Sequence, residues 1–342
     1  MEWCGDSRLQ AVREYHSFDA ARTAMAGVAF GDGVLFDRLD WLEALHRHCC
    51  GDAGLRIVQA REDGAAVWLF LTTPAGRRVS ALANWYSFRW APVFAGQPDP
   101  AARSRLLDAA LRHLLADCAQ IDLYPVEESA SMMEALRRVG WMAVSRPMGG
   151  RHLLRVGGRS FADYWAARPG RLRALVRRKG RGDPFALSIS ERLTDELWRD
   201  YVDVHGRSWK EAEPDGGLDF LREVAERAGE RGALRLGFAR AGARAVATQL
   251  WTVEDGVALI HKLAHDRALD AQSPGTLLSH AMFARAIDRD RVDMIDYGTG
   301  DNGYKTDWME SRVPLYQIDA FNPRRASAWL PAARTAISAL VG

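Results

Sequence analysis

Lysine is nearly missing from this 342-residue chain: Lys179, Lys210, Lys262 and Lys305 are its four, so 42 of the 46 basic residues are arginine. A genome rich in G and C writes arginine and alanine freely, and explains that skew without invoking function. Cysteine is equally scarce. Cys4 and Cys118 are isolated, Cys49 and Cys50 are adjacent, and no C-x-x-C pair exists, which excludes a disulfide scaffold. His46 and Cys50 share a helical face, but a zinc site needs about four ligands and no second cluster accompanies them, so no metal is expected. Long apolar runs are absent too. The best, 65–73, falls well short of the roughly 20 residues of a membrane helix. Met1–Asp6 holds no basic stretch leading into an apolar one, so no secretory signal is expected and the cytoplasm is the expected compartment.

What is present is the composition of a globular protein, 48% hydrophobic and 26% charged. The length fits one large or two medium domains. The net charge of +2 hides an uneven distribution, because residues 151–190 hold ten Arg or Lys against two Asp, a local +8. Twelve tryptophans are a high count, and Trp85-Tyr86-Ser87-Phe88-Arg89-Trp90 packs four aromatics into six residues.

Hydrophobic periodicity gives two halves of similar order. In the first, a helix capped by Asp37 precedes three strand-like runs at 55–60, 65–72 and 77–83, broken by Asp63-Gly64 and Pro74-Ala75-Gly76 turns. A long helix at 101–118, a strand, a helix and closing strands at 141–145 and 152–156 follow. In the second, helical segments lead to strands at 233–239, 245–253 and 257–264, then a helix at 275–290 and strands at 292–297 and 315–321. The fold class expected is α/β with mixed sheets, in two domains, 1–155 and 156–342.

The most informative stretch is 260–308. It contains Gln272-Ser273-Pro274-Gly275-Thr276-Leu277-Leu278 and, downstream, Asp296-Tyr297-Gly298-Thr299-Gly300-Asp301-Asn302-Gly303-Tyr304-Lys305-Thr306-Asp307-Trp308. A Ser-Pro-Gly turn opening a helix offers free N–H groups and a positive dipole end, a seat for phosphate. Paired with D-[FY]-x-x-G-D-x-x-Y-K-x-x-W, this turn resembles the GNAT-fold acyltransferases of the cellulose-biosynthesis/Fem-like branch, in which two GNAT-like domains share a chain. The likeness is strong over 235–322 and looser in the first half.

That resemblance implies transfer of an acyl group from a CoA thioester to a primary amine by direct attack, with acyl-CoA as co-substrate. Gln272, Ser273, Gly275 and Thr276 would hold the CoA pyrophosphate, although Pro274 removes one donor and Leu277 stands where the family's loop has a small residue. The first half has no such loop and is expected to be a scaffold or acceptor-binding wall. The chemistry needs a base for the ammonium, a donor for the oxyanion (in this fold a strand-bulge N–H) and an acid for the thiolate. Strand alternation puts His261 and His265 on one face and Lys262 on the other, so the two histidines are the first base candidates. Asp301 could serve as base or orient the amine, Tyr304 as acid, and Lys305 could stabilise charge; in the structural reading Lys305 pairs with Asp296 or Asp301. Lys262, Trp85 and Tyr86 are candidate substrate contacts. Arg177 and Arg178, in the basic stretch, offer a wall for CoA phosphates, an anionic headgroup or a membrane surface. The acceptor reads as a sphingoid-type lipid amine or an amino sugar. An aminoacyl-tRNA donor of the Fem-like kind and a non-catalytic binding protein are the competing readings, and the near-neutral total charge argues against nucleic acid.

Overall fold

Two Asp-Gly pairs set the hairpins from which each half is built. The computed structural model describes residues 9–25, 34–300 and 303–341. Asp63 and Gly64 take φ of 40° and 82°, and Asp255 and Gly256 take 48° and 75°. Two successive positive φ values make the tight turn that matches strand twist. Glu62 then pairs with Ala65 and Glu254 with Val257 directly across their turns.

The chain forms two compact units, residues 1–149 with 314–342, and residues 150–313. The first contains β1 (Leu9–Tyr15), α1 (Phe18–Met25), α2 (Leu39–Cys49), β2 (Gly54–Glu62), β3 (Ala65–Thr73), β4 (Arg78–Ala81) and β5 (Val93–Ala95). It continues through α3 (Pro100–Asp117), β6 (Gln120–Val126), α4 (Ser129–Arg138) and the start of β7 (Met142–Arg155). The second holds the end of β7, α5 (Phe161–Ala166), α6 (Gly170–Lys179), β8 (Ala186–Ser190), α7 (Asp195–Gly206) and α8 (Gly217–Glu230). Then come β9 (Leu234–Ala241), β10 (Arg244–Glu254), β11 (Val257–His265), α9 (Pro274–Ala284), β12 (Met294–Thr299) and α10 (Lys305–Trp308). The closing strand β13 (Ser311–Phe321) and helix α11 (Trp329–Val341) carry the chain back into the first unit.

Strand order in the first unit is β1-β2-β3-β4-β6-β13, with β5 added to β3. α3 buries Leu106, Leu107, Ala110, Leu111 and Leu114 in its core. In the second unit the order is β7-β12-β11-β10-β9-β8. Here α9 covers one face so closely that a Cβ on Gly237 would meet Met282 Sδ at 2.6 Å. The domain boundary expected at 155 falls at 149 instead, and residues 314–342 group with the first unit rather than the second. The cause is pairing: β13 runs antiparallel to β6, Ile318 and Ala320 enter the first core, and the Asn322 amide donates to the carbonyls of Leu115 (2.8 Å) and Cys118 (2.7 Å).

Each unit has one parallel strand pair whose partners are bridged by a helix beginning with proline. β4 and β6 are in register over Arg78–Ser80 and Gln120–Asp122, and α3 connects them. β11 and β12 are in register over Val257–Leu259 and Met294–Asp296, and α9 connects them. Past those three pairs the strands of each fork separate. No helix among the described residues is long and apolar enough to cross a membrane.

Candidate active site

β11 carries a bulge where β12 leaves it. Trp251 pairs with Ile260 and Leu250 with Lys262, so His261 is an extra residue in the strand. A bulge leaves the inserted residue out of the ladder and shifts the alternation that follows. This separates the two histidines expected on one face. Ala258, Ile260 and, beyond the bulge, Leu263 pack on the core under α9, and His265 falls on that side too, against Gly275. His261 and Lys262 lie on the opposite side. His261 Nε2 is 2.9 Å from Thr252 Oγ1, and burial, with some help from Lys262, pushes its pKa down to about 3. His261 is therefore a neutral imidazole at working pH.

On that side Lys262 Nζ donates to Glu213 Oε1 at 2.6 Å, and His205 Nε2 lies 3.2 Å from the same oxygen. Glu213 is 5% exposed, a carboxylate kept in the interior by its cationic partner. Burial, then the Lys262 charge, push the Lys210 ammonium down to about 8 against the pull of Glu213, and Lys305 adds to the lowering. Three of the chain's four lysines thus gather at one fork. Nothing in the motif pattern pointed to Lys210, Glu213 or His205; the scarcity of lysine itself was the available signal.

His265 sits at the end of β11, its ring centroid 4.4 Å from that of Trp209. Its Nε2 is 2.7 Å from Asp270 Oδ1, and its Nδ1 is buried without a hydrogen-bond partner. A carboxylate at Nε2 favours the tautomer with its proton there and leaves a lone pair on Nδ1. A Cβ added to Gly275 would meet that Nδ1 at 3.1 Å, so glycine is what lets the first turn of α9 approach the imidazole.

The start of α9 is open. Ser273 takes a left-handed conformation (φ 57°, ψ 45°) and gives the helix no side-chain cap. Pro274 has no N–H, which leaves those of Gly275 and Thr276 to face outward, as first-turn donors lack intrahelical partners. Gln272 is exposed beside them. Leu277 faces away from the opening, into the core and 3.7 Å from where a Cβ on Gly180 would lie, so its bulk does not close the turn. Gln249, fully buried on β10, ties this turn to the sheet by donating to Gly275 O (3.3 Å) and Ser279 Oγ (2.7 Å). Sequence reading passed over Gln249.

The Gly180–Leu277 contact brings the last turn of α6 beside α9. Arg177 and Arg178 are exposed there and form no ion pair among the described residues. Two other arginines of the basic stretch are engaged elsewhere: Arg168 is buried on Trp308 O (3.2 Å) and Glu310, and Arg171 pairs with Asp307 at 2.6 Å.

Lys305 is buried, and its Nζ donates to the carbonyls of Tyr297 (3.1 Å) and Thr299. Asp296 meets Arg151 at 2.8 Å. Tyr304 is exposed, with its ring against that of Tyr297. Asp301 lies outside the described residues. In the first unit Trp85 is exposed while Tyr86, Phe88 and Trp90 are buried in an irregular segment rather than a strand.

These features are those of a known fold. Residues 149–306 match the family model described as an acetyltransferase (GNAT) domain. The fold of the chain is likewise found in FemX (TM-score 0.58, 11% identity, covering 91% of this chain and 98% of that one). It is similar to L-PGS from Bacillus licheniformis (TM-score 0.54, 12% identity, 91% and 98%). A tandem GNAT protein from the clavulanic acid biosynthesis pathway is a third likeness (TM-score 0.51, 12% identity, 90% and 98%). No protein of curated function matches the sequence. The fold of the chain is thus of the tandem GNAT kind, and the stretch that matches the acetyltransferase model lies almost wholly in the second unit.

Proposed function

We propose that the second unit is an N-acyltransferase that moves an acyl group from a CoA thioester to a primary amine by direct attack. The observation that carries this reading is the open first turn of α9 set against His265 at the mouth of the β11–β12 fork. Gly275 and Thr276 N–H, Gln272, Ser273 and the guanidinium groups of Arg177 and Arg178 hold the pyrophosphate. The acceptor ammonium loses a proton to His265 Nδ1, directly or through one water, and Asp270 stabilises the imidazolium that forms. The amine nitrogen then bonds to the thioester carbon. The bulge at His261, facing the gap that β12 has left, supplies backbone N–H for the oxyanion. Collapse of the tetrahedral species breaks the carbon–sulfur bond, the thiolate takes its proton from Tyr304, and the second proton shed by the acylated nitrogen restores the Tyr304 phenol. Lys305 acts by fixing the end of β12, and Lys262 by holding Glu213 at the acceptor side.

Calorimetry with acetyl-CoA and palmitoyl-CoA tests the reading. Saturable binding of either, lost on Arg177→Ala/Arg178→Ala, is expected, and no heat with any CoA species would sink it. A second reading takes the acyl group from aminoacyl-tRNA, as an ester donor. It is favoured by Pro274, which leaves the pyrophosphate seat one donor short. Turnover with a charged tRNA and none with acyl-CoA would decide for it.

A further inference from the structure

The loop that leaves α7 carries two residues that the acyl-transfer reading does not use. Trp209 is 45% exposed, although its ring rests on the His265 imidazole. An aromatic surface left to water beside the group assigned as base offers an apolar platform where an acceptor must stand. Lys210 follows it in the chain and is half-buried. Its Nζ lies 6.0 Å from the centroid of the Trp209 ring and makes no hydrogen bond or ion pair among the described residues.

The charges around that ammonium do not balance. Among the described residues Glu213 is the one carboxylate that draws on it, and Lys262 already holds Glu213 Oε1 at 2.6 Å. Glu211 and Asp215, in the same loop, are exposed and neither pairs with Lys210. Lys262 and Lys305 both repel it, and His261, neutral at working pH, brings no compensation. His205, 3.2 Å from the same Glu213 oxygen, could add positive charge but not negative. Lys210 is thus a cation partly stripped of water and left without an anion of its own, so an incoming anion stabilises it. One free ammonium matches the single charge of a carboxylate, and it stands next to the apolar face of Trp209.

We propose that the acceptor is an apolar amino acid, its carboxylate held by Lys210, its side chain laid on Trp209 and its amine at His265. This rests on the acyl-transfer reading and gives that reading its substrate class; the products are an N-acyl amino acid and free CoA. The test is thiol release by the full chain, with whichever of acetyl-CoA and palmitoyl-CoA binds. Three acceptors are compared: L-phenylalanine, 2-phenylethylamine, which lacks the carboxylate, and glycine, which lacks the side chain. L-phenylalanine is expected to exceed each of the others in kcat/KM by at least about tenfold. Lys210→Met should bring it within about twofold of 2-phenylethylamine, whereas Lys210→Arg, which keeps a charge, should leave it ahead by at least about threefold. Trp209→Ala should instead erase the margin over glycine. A merely structural role for these residues would lower all three acceptors alike and leave both ratios standing, which would overturn the proposal. So would wild-type turnover of 2-phenylethylamine equal to that of L-phenylalanine, a result that leaves acyl transfer itself intact. CoA binding with no turnover of L-phenylalanine would overturn it as well, while absence of any CoA binding would sink the acyl-transfer reading and the proposal with it.

Discussion

The two forks are built to one plan and finished in opposite ways. Each has three parallel pairs, a separating gap and a connecting helix that starts with proline, after Asp99 in one and Ser273 in the other. Asp99 folds its carboxylate onto the helix start, whereas Ser273, in a left-handed conformation, leaves it open. The next residue is exposed Ala101 in α3 and Gly275, pressed on His265, in α9. The connection preceding α3 is long enough to hold β5 and the aromatic segment, while the one between β11 and α9 holds only a single 3-10 helix, Arg267–Gln272. The residues around one proline, not the fold, thus decide whether the helix start at a fork is capped or left open.

That contrast can be broken most severely at Gly275. Gly275→Leu is expected to weaken acetyl-CoA binding by more than about a hundredfold, a 2.7 kcal/mol loss by the tenfold-per-1.4 rule. Ala101→Leu, at the matching place in α3, should leave it unchanged; calorimetry on both reads the difference. His265→Ala is expected to lower turnover at least tenfold, about 1.4 kcal/mol of barrier. A thiol-release assay checks it, and wild-type turnover would place the base elsewhere.

The bulge gives the second fork an acid sensitivity. With the folded His261 pKa near 3 and the ordinary value at 6.5, the unfolded chain gains a proton between these pH values that the folded chain refuses. Stability thus falls as pH drops from 6.5 toward 3, by up to about 1.4 kcal/mol per unit. Urea melts across pH 4–7 should show a shallower fall for His261→Gln. Removing the cap of the other fork, Asp99→Ala, should cost about 1 kcal/mol, seen as a lower urea midpoint with acetyl-CoA affinity intact. The smallest effect is expected from Ser273→Asp, which brings the acidic neighbour to α9. A two- to fivefold weaker acetyl-CoA affinity, about 0.3–1 kcal/mol, should be restored by lowering the pH to protonate the new carboxyl.

Local chemistry made much of this readable in advance. The Asp-Gly turns, the Ser-Pro-Gly helix start and the apolar stripe of α3 each carry their instruction within a few residues, and all three formed. The relation between His261 and His265 was not readable, because strand alternation presumes an uninterrupted ladder and the bulge depends on what β10 offers across it. Lys305 clamps the carbonyls of its own loop, a contact hidden from sequence because only the turn after β12 creates it. The lysine cluster was hidden for a different reason. Lys210, Lys262 and Lys305 are far apart in the chain, and their rarity reads as codon bias until folding brings them together. Arginine at those places could neither shed its proton nor present a compact charge.

The return of residues 314–342 to the first unit has a consequence for how the protein is made. The second unit is an insertion within the first one's chain, so its residues are all synthesised while the first sheet still lacks β13 and the Asn322 anchor. During synthesis the second unit can close its core first, and the first unit waits with the exposed edge of β6 unpaired. Cutting the chain after residue 310 would spare the whole stretch that matches the acetyltransferase model, yet the unit it would unravel is the one whose residues were translated earliest.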